Sequence, residues 1–104
     1  MRSYAKSIAL YERTRKSLAG GVSSNVRYAS APVPLFFERG EGARLFDADG
    51  HSYIDFISEA TAGIYGHSHP GIKDAIEKRM ALGWNLGGHT ALESELAEII
   101  IDRF

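Results

Sequence analysis

The sequence predicts an α+β fold: an N-terminal helix, a three-stranded antiparallel meander and two further helices. Three observations predict it. Tyr4, Ile8, Tyr11 and Leu18 recur at roughly helical spacing. Between 35 and 56, three short bulky runs are separated by tight-turn signals, the clearest being Asp47-Ala48-Asp49-Gly50. Thr90 and Glu93 then form a capping-box signature ahead of an amphipathic run. A length of 104 residues allows one small domain or a piece of a larger one.

The first helix is expected over 3–18, capped by Ser3 and stopped by Gly20-Gly21, with Arg13, Arg15 and Lys16 suited to the negative pole of its dipole. Residues 19–34 follow as a long irregular stretch containing Gly20, Gly21, Pro32 and Pro34. Loops of that length are usually functional or disordered, so this segment is the first candidate site. The meander is expected over 35–56. Leu35-Phe36-Phe37 runs into a turn at Arg39-Gly40-Glu41-Gly42, Ala43 to Phe46 leads into the Asp47–Gly50 turn, and His51 to Phe56 alternates. Residues 57–69 form a second connection. Pro70 opens a helix over 70–82, with Ile72, Ala75, Ile76 and Met80 on its apolar face and Gly83 at its end. A glycine-rich connection leads to the last helix, 91–103, whose apolar face is Leu92, Leu96, Ile99 and Ile100. That helix runs to Phe104 with no cap or polar tail, so the sequence reads as cut.

Twelve basic against thirteen acidic residues leave a net charge of −1, which argues against a nucleic-acid arm, a polybasic membrane segment or an acidic tail. The absence of cysteine excludes a disulfide framework, a thiolate nucleophile and a cysteine metal site. Apolar runs are far too short for a membrane span, and residues 1–10 lack a signal-peptide hydrophobic block. A soluble, cytoplasmic chain is expected.

Few residues carry chemistry. His67 and His69 are too few for zinc, and no metal is expected; the simpler role is for His67, Ser68 or His69 to hydrogen-bond backbone groups around the next helix start. Asp55 and Glu59 lack a neighbouring nucleophile, which leaves Asp55 as a structural acceptor at a strand end. Ser23 and Ser24 have no triad partners, and neither glycine pair fits a nucleotide-binding motif. Arg27 differs because it stands alone in a loop of small, uncharged residues. A guanidinium there is either a surface group or a grip for a carboxylate or phosphate. The four lysines, Lys6, Lys16, Lys73 and Lys78, all fall on polar helix faces, unlike a desolvated Schiff-base lysine.

Three blocks in order resemble the N-terminal segment of the class III aminotransferases, fold-type-I enzymes that use pyridoxal phosphate. They are Gly20-Gly21-Val22-Ser23-Ser24-Asn25-Val26-Arg27, the run Glu38 to Phe56 with its Asp47-Ala48-Asp49-Gly50 and Tyr53-Ile54-Asp55, and Gly66-His67-Ser68-His69-Pro70. The resemblance spans nearly the whole chain. It implies part of a larger fold-type-I transferase fold whose catalytic large domain, with the Schiff-base lysine, is absent here, so no catalytic residue is assigned to this chain. It further implies pyridoxal 5'-phosphate as cofactor of the full-length enzyme, amino acid and keto acid substrates, a homodimer, and loop 19–34 on the substrate side. Arg27, Ser24 and Ala60 are the implied substrate-binding residues, with Arg27 matching an arginine that grips the substrate carboxylate in glutamate-1-semialdehyde aminomutase. Ala60 falls where that aminomutase carries tryptophan and the β-phenylalanine type carries tyrosine, which implies a more open pocket. The segment Glu59 to His67 is more similar to the β-amino-acid aminotransferases. An aminomutase and a non-catalytic α+β interaction module stand as the alternatives.

Overall fold

A computed structural model describes residues 2–28 and 33–104, so residues 29–32 of the expected loop 19–34 lie outside the described residues. The chain forms two compact units, Met1–Pro70 and Gly71–Phe104. The first unit holds α1 (Ala5–Thr14), two 3₁₀ turns (Ala19–Gly21 and Asn25–Arg27), β1 (Phe37–Glu41), β2 (Arg44–Asp47) and β3 (Ser52–Ile54). The helices α2 (Pro70–Met80) and α3 (Ala91–Arg103) follow.

The sheet is a meander in the order β1-β2-β3, antiparallel throughout. Gly40 pairs with Leu45 and Glu41 with Arg44, while Leu45 also pairs with Tyr53 on the far side. The ladder register shifts between Phe37 and Arg39, a bulge that bends β1. The turn expected at Arg39–Gly42 is therefore a correction: the strand runs through Glu41 and only Gly42-Ala43 reverses the chain. A Cβ at Gly40 would lie 2.6 Å from the Cβ and Cγ of His67. The imidazole packs directly on this strand, and only glycine leaves room for it. On the sheet surface the Arg39 guanidinium sits 3.4 Å from the centre of the Phe46 ring, a cation–π contact.

The Asp47–Gly50 turn joins β2 to β3 and is built around one buried carboxylate. Asp47, 2% exposed, accepts from the backbone N–H groups of Asp49 at 3.0 Å and His51 at 2.7 Å. It also accepts from the Tyr53 hydroxyl at 2.8 Å, with His51 Nδ1 3.0 Å away. Burial would push the Asp47 carboxyl up, but these hydrogen bonds outweigh it and hold the group below its ordinary value of 3.8. Burial, and then the bond to Asp47, push the Tyr53 phenol up.

The second aspartate of the same turn faces α1. Ser3 does not cap that helix; the residue at the cap position is Tyr4, which makes no side-chain capping bond. Asp49 supplies the missing acceptors from 43 residues away. Its Oδ1 accepts from Lys6 N at 2.7 Å, and its Oδ2 accepts from Ser7 N at 2.9 Å and from Ser7 Oγ at 2.6 Å. The orphan donors of a helix start and its positive pole are thus met by a carboxylate of the sheet turn. The Tyr4 ring stacks obliquely on His51, centroids 5.0 Å apart, beside this tie. The helix is also shorter than the expected 3–18. It ends at Thr14, and a turn carries Arg15 to Leu18 before the glycines.

In the second unit Thr90 N donates to Glu93 Oε1 at 3.1 Å, which completes the capping box and fixes the start of α3. Helix α2 stops at Met80, two residues short of the expected end. Neither helix contains a buried residue, and Ile76, Leu96, Ile99 and Ile100 are exposed.

Asp47→Ala would strand the Tyr53 hydroxyl and two turn N–H groups, and should lower stability by about 2 kcal/mol, read as the shift in urea midpoint at neutral pH. The folded Asp47 and Asp49 carboxyls lie below 3.8, so the unfolded chain takes up protons first as pH falls. Their contribution is fully present above that value and is lost as pH drops through the folded values. A denaturation series should show stability level near neutrality and falling below about pH 4.

Candidate functional site

The candidate site is the segment 19–28, suspended from the end of α1. Thr14 Oγ1 donates to Gly21 O at 2.8 Å, Tyr11 Oη donates to Gly20 O at 3.2 Å, and Gly21 N donates to Leu18 O at 2.9 Å. Gly21 has φ +75°, and a Cβ there would lie 2.6 Å from the Tyr11 ring and 2.7 Å from the Arg15 side chain. Close approach to α1 and a left-handed backbone both demand glycine at this position.

Beyond Gly21 the chain extends and then closes a 3₁₀ turn, with Arg27 N donating to Ser24 O at 3.0 Å and Tyr28 N to Asn25 O at 3.1 Å. Ala19, Gly20, Val22, Ser23, Ser24, Asn25 and Tyr28 line an open cleft of about 350 Å³, within the range of small-molecule sites. Ser24 is therefore in the wall. Arg27 is not among the lining residues but sits between two that are. Its Nη1 donates to Ser23 Oγ at 2.9 Å, and its side chain is exposed. Among the described residues no carboxylate pairs with Arg27, whereas Arg15 and Arg39 are paired with Glu12 and Glu41. An arginine braced by a hydroxyl and left without an anion is equipped to bind one through parallel hydrogen bonds.

Ala60 lies on a different loop and does not line that cleft. Its loop is closed by Asp55 at the end of β3. Asp55 Oδ1 accepts from the N–H groups of Ile57 at 2.9 Å and Ser58 at 3.1 Å, and Oδ2 is 2.8 Å from His67 Nε2. The two backbone bonds, followed by His67, hold the Asp55 carboxyl below its ordinary value. His67 also exchanges two backbone hydrogen bonds with Gly42, at 2.9 and 2.8 Å, and Ser68 Oγ donates to Gly40 O at 2.7 Å. Between these anchors Ser58, Glu59, Ala60 and Thr61 all have left-handed φ, from 46° to 84°. Each such non-glycine residue costs about 1–2 kcal/mol, a strain that the anchors at Asp55 and His67 confine to this loop.

The sequence pointed to Arg27 and Ser24 but missed three residues that set their geometry: Ser23, Tyr11 and Thr14. A hydroxyl four residues before an arginine was the one local signal available, at Ser23. His67 serves Asp55 and Gly42 instead of the helix start. Among the described residues no three acidic or histidine side chains converge as a metal site. The cofactor implied by the resemblance needs a desolvated lysine. All four lysines are exposed, and Lys73 and Lys78 lie near Glu77 and Asp74 on α2. The residues of this chain therefore do not by themselves fit pyridoxal phosphate.

Residues 25–102 match the aminotransferase class-III family. The chain is 51% identical over 94 residues to a β-phenylalanine transaminase from Variovorax paradoxus, covering 90% of this chain and 21% of that protein. The solved structure of a β-phenylalanine aminotransferase from Variovorax paradoxus superposes with a TM-score of 0.88 at 48% identity, over 97% of this chain and 23% of that one. A glutamate-1-semialdehyde 2,1-aminomutase from Chloroherpeton thalassium is 49% identical over 98 residues, 91% of this chain and 23% of that protein. A solved transaminase with pyridoxal phosphate bound gives a TM-score of 0.85 at 38% identity, over 94% of this chain and 23% of that one. The chain thus spans between a fifth and a quarter of the length of the curated relatives it matches. With three-quarters of its residues inside the family pattern and 97% of its length superposing on a solved transaminase, the chain belongs to the class-III aminotransferase family.

Proposed function

We propose that this chain is the substrate-side segment of a pyridoxal-phosphate-dependent aminotransferase that moves an amino group between an amino acid and a keto acid. The observation that carries the reading is Arg27, a guanidinium held by Ser23 Oγ beside an open cleft and paired with no carboxylate among the described residues. Its role is to bind the substrate carboxylate, with Ser24 in the cleft wall. The cofactor and the group that carries it belong to the remainder of the enzyme, and no step of the chemistry falls on residues of this chain.

Ala60 is the proposed contact on the opposite side of the substrate, where a methyl group replaces the aromatic ring of related enzymes and leaves room for a larger side chain. β-Amino acids are accordingly included among the substrates, as the relative from Variovorax paradoxus supports. A homodimer in the cytoplasm is part of the same proposal, and the exposed apolar residues of α2 and α3 supply surface for other parts of the assembly to cover.

In the complete enzyme, Arg27→Ala removes one bidentate, charge-assisted contact. It should raise KM for carboxylate substrates between about tenfold and a hundredfold, with little change in kcat. Initial-rate kinetics over a substrate series check this, and an unchanged KM removes Arg27 from the site. An aminomutase is the second reading, supported by the relative from Chloroherpeton thalassium. Product analysis with and without an added keto acid separates the two. Turnover that requires the acceptor is expected, and isomerisation without one establishes the aminomutase.

A further inference from the structure

The meander is joined to α1, which carries loop 19–28 at its far end, by the Asp49 side chain beside the Tyr4–His51 ring contact. Asp49 takes two N–H groups of the first helical turn, those of Lys6 and Ser7, and the Ser7 hydroxyl. Ser7 is fully buried at this junction. At the other end of the same ten-residue helix, Tyr11 and Thr14 hold the carbonyls of Gly20 and Gly21. Seven residues on from Gly20 stands Arg27. A helix is stiff along its hydrogen-bonded axis, so fixing its first turn on the sheet fixes where its last turn presents the loop. Without Asp49 the helix start would have no side-chain cap at all, since Tyr4 provides none.

We infer that Asp49 is a positioning residue for substrate binding: it holds α1 against the β2–β3 turn and so sets the place of the Arg27 loop. This rests on the reading of Arg27 as the carboxylate contact. Asp49 touches no substrate. It acts by keeping the binding loop pre-organised, so its loss appears in KM while kcat is left nearly intact. Thr14 lies on the same line at the far end of the helix, and cutting the line there has the same effect without disturbing the cap.

The test uses the complete enzyme carrying Asp49→Ala, Asp49→Asn or Thr14→Val, each alone and combined with Arg27→Ala. Amide exchange across 19–28 is measured by mass spectrometry alongside steady-state kinetics. Asp49→Ala is expected to speed exchange in 19–28 and to raise KM for a carboxylate substrate, each by about fivefold, the equivalent of a lost cap. The Asp49→Asn variant retains one acceptor oxygen and should recover part of both. In the Arg27→Ala background Asp49→Ala should add much less to KM than it does alone. Unchanged exchange in 19–28, or an equal rise in KM in both backgrounds, overturns the inference. An Arg27→Ala enzyme with normal KM overturns the carboxylate contact instead, and the exchange data still decide whether Asp49 holds the loop.

Discussion

The carboxylate of Asp49 on the first turn of α1 is the contact through which the sheet orders the rest of the first unit. It joins groups 42 and 43 residues apart. Its neighbour Asp47 makes that possible: by gathering the N–H groups of Asp49 and His51 and the Tyr53 hydroxyl, it shapes the turn so that Asp49 points at the helix. A third carboxylate, Asp55, closes loop 57–67 at the end of β3. Helix, turn and loop thus each have an aspartate among their ties to the three-stranded meander.

Within the described residues, polar ties do more than apolar packing to fix the geometry. Among the described residues the buried apolar side chains are Val33 and Ala48, while Phe56, Ile57 and Ile101 are each at least 79% exposed. Hydrogen bonds to charged acceptors are directional and individually stronger than neutral ones, so they fix geometry where close packing does not. On the proposed reading of Arg27 as a carboxylate contact, the placement of its loop is what these ties would set.

What could be read from sequence is what local chemistry decides. The start of α3 follows from Thr90 and Glu93, three residues apart, and the observed helix begins there at Ala91. Asp47-Ala48-Asp49-Gly50 announces a turn because its first aspartate serves its own neighbours. The reach of Asp49 to Lys6 and Ser7 was illegible because it depends on tertiary placement, and Ser3 looked like the cap for want of it. Gly40 read as a turn residue; in the structure its missing side chain makes room for His67 on a continuous strand. Arg27 stood out as a lone cation, and Ser23 beneath it only became a partner once the 3₁₀ turn was closed. The left-handed run at Ser58–Thr61 left no mark, since none of its four residues is glycine and its conformation is imposed by anchors at either end.

The most direct test of this account is a carboxyl-carbon NMR titration of Asp47, Asp49 and Asp55 in the folded protein. All three should titrate below the ordinary value of 3.8, because each ionised carboxylate is held by donors that its protonated form would lose. Titration of Asp49 at or above that value would mean that its carboxylate does not hold the start of α1, and the central tie of the structure would be gone.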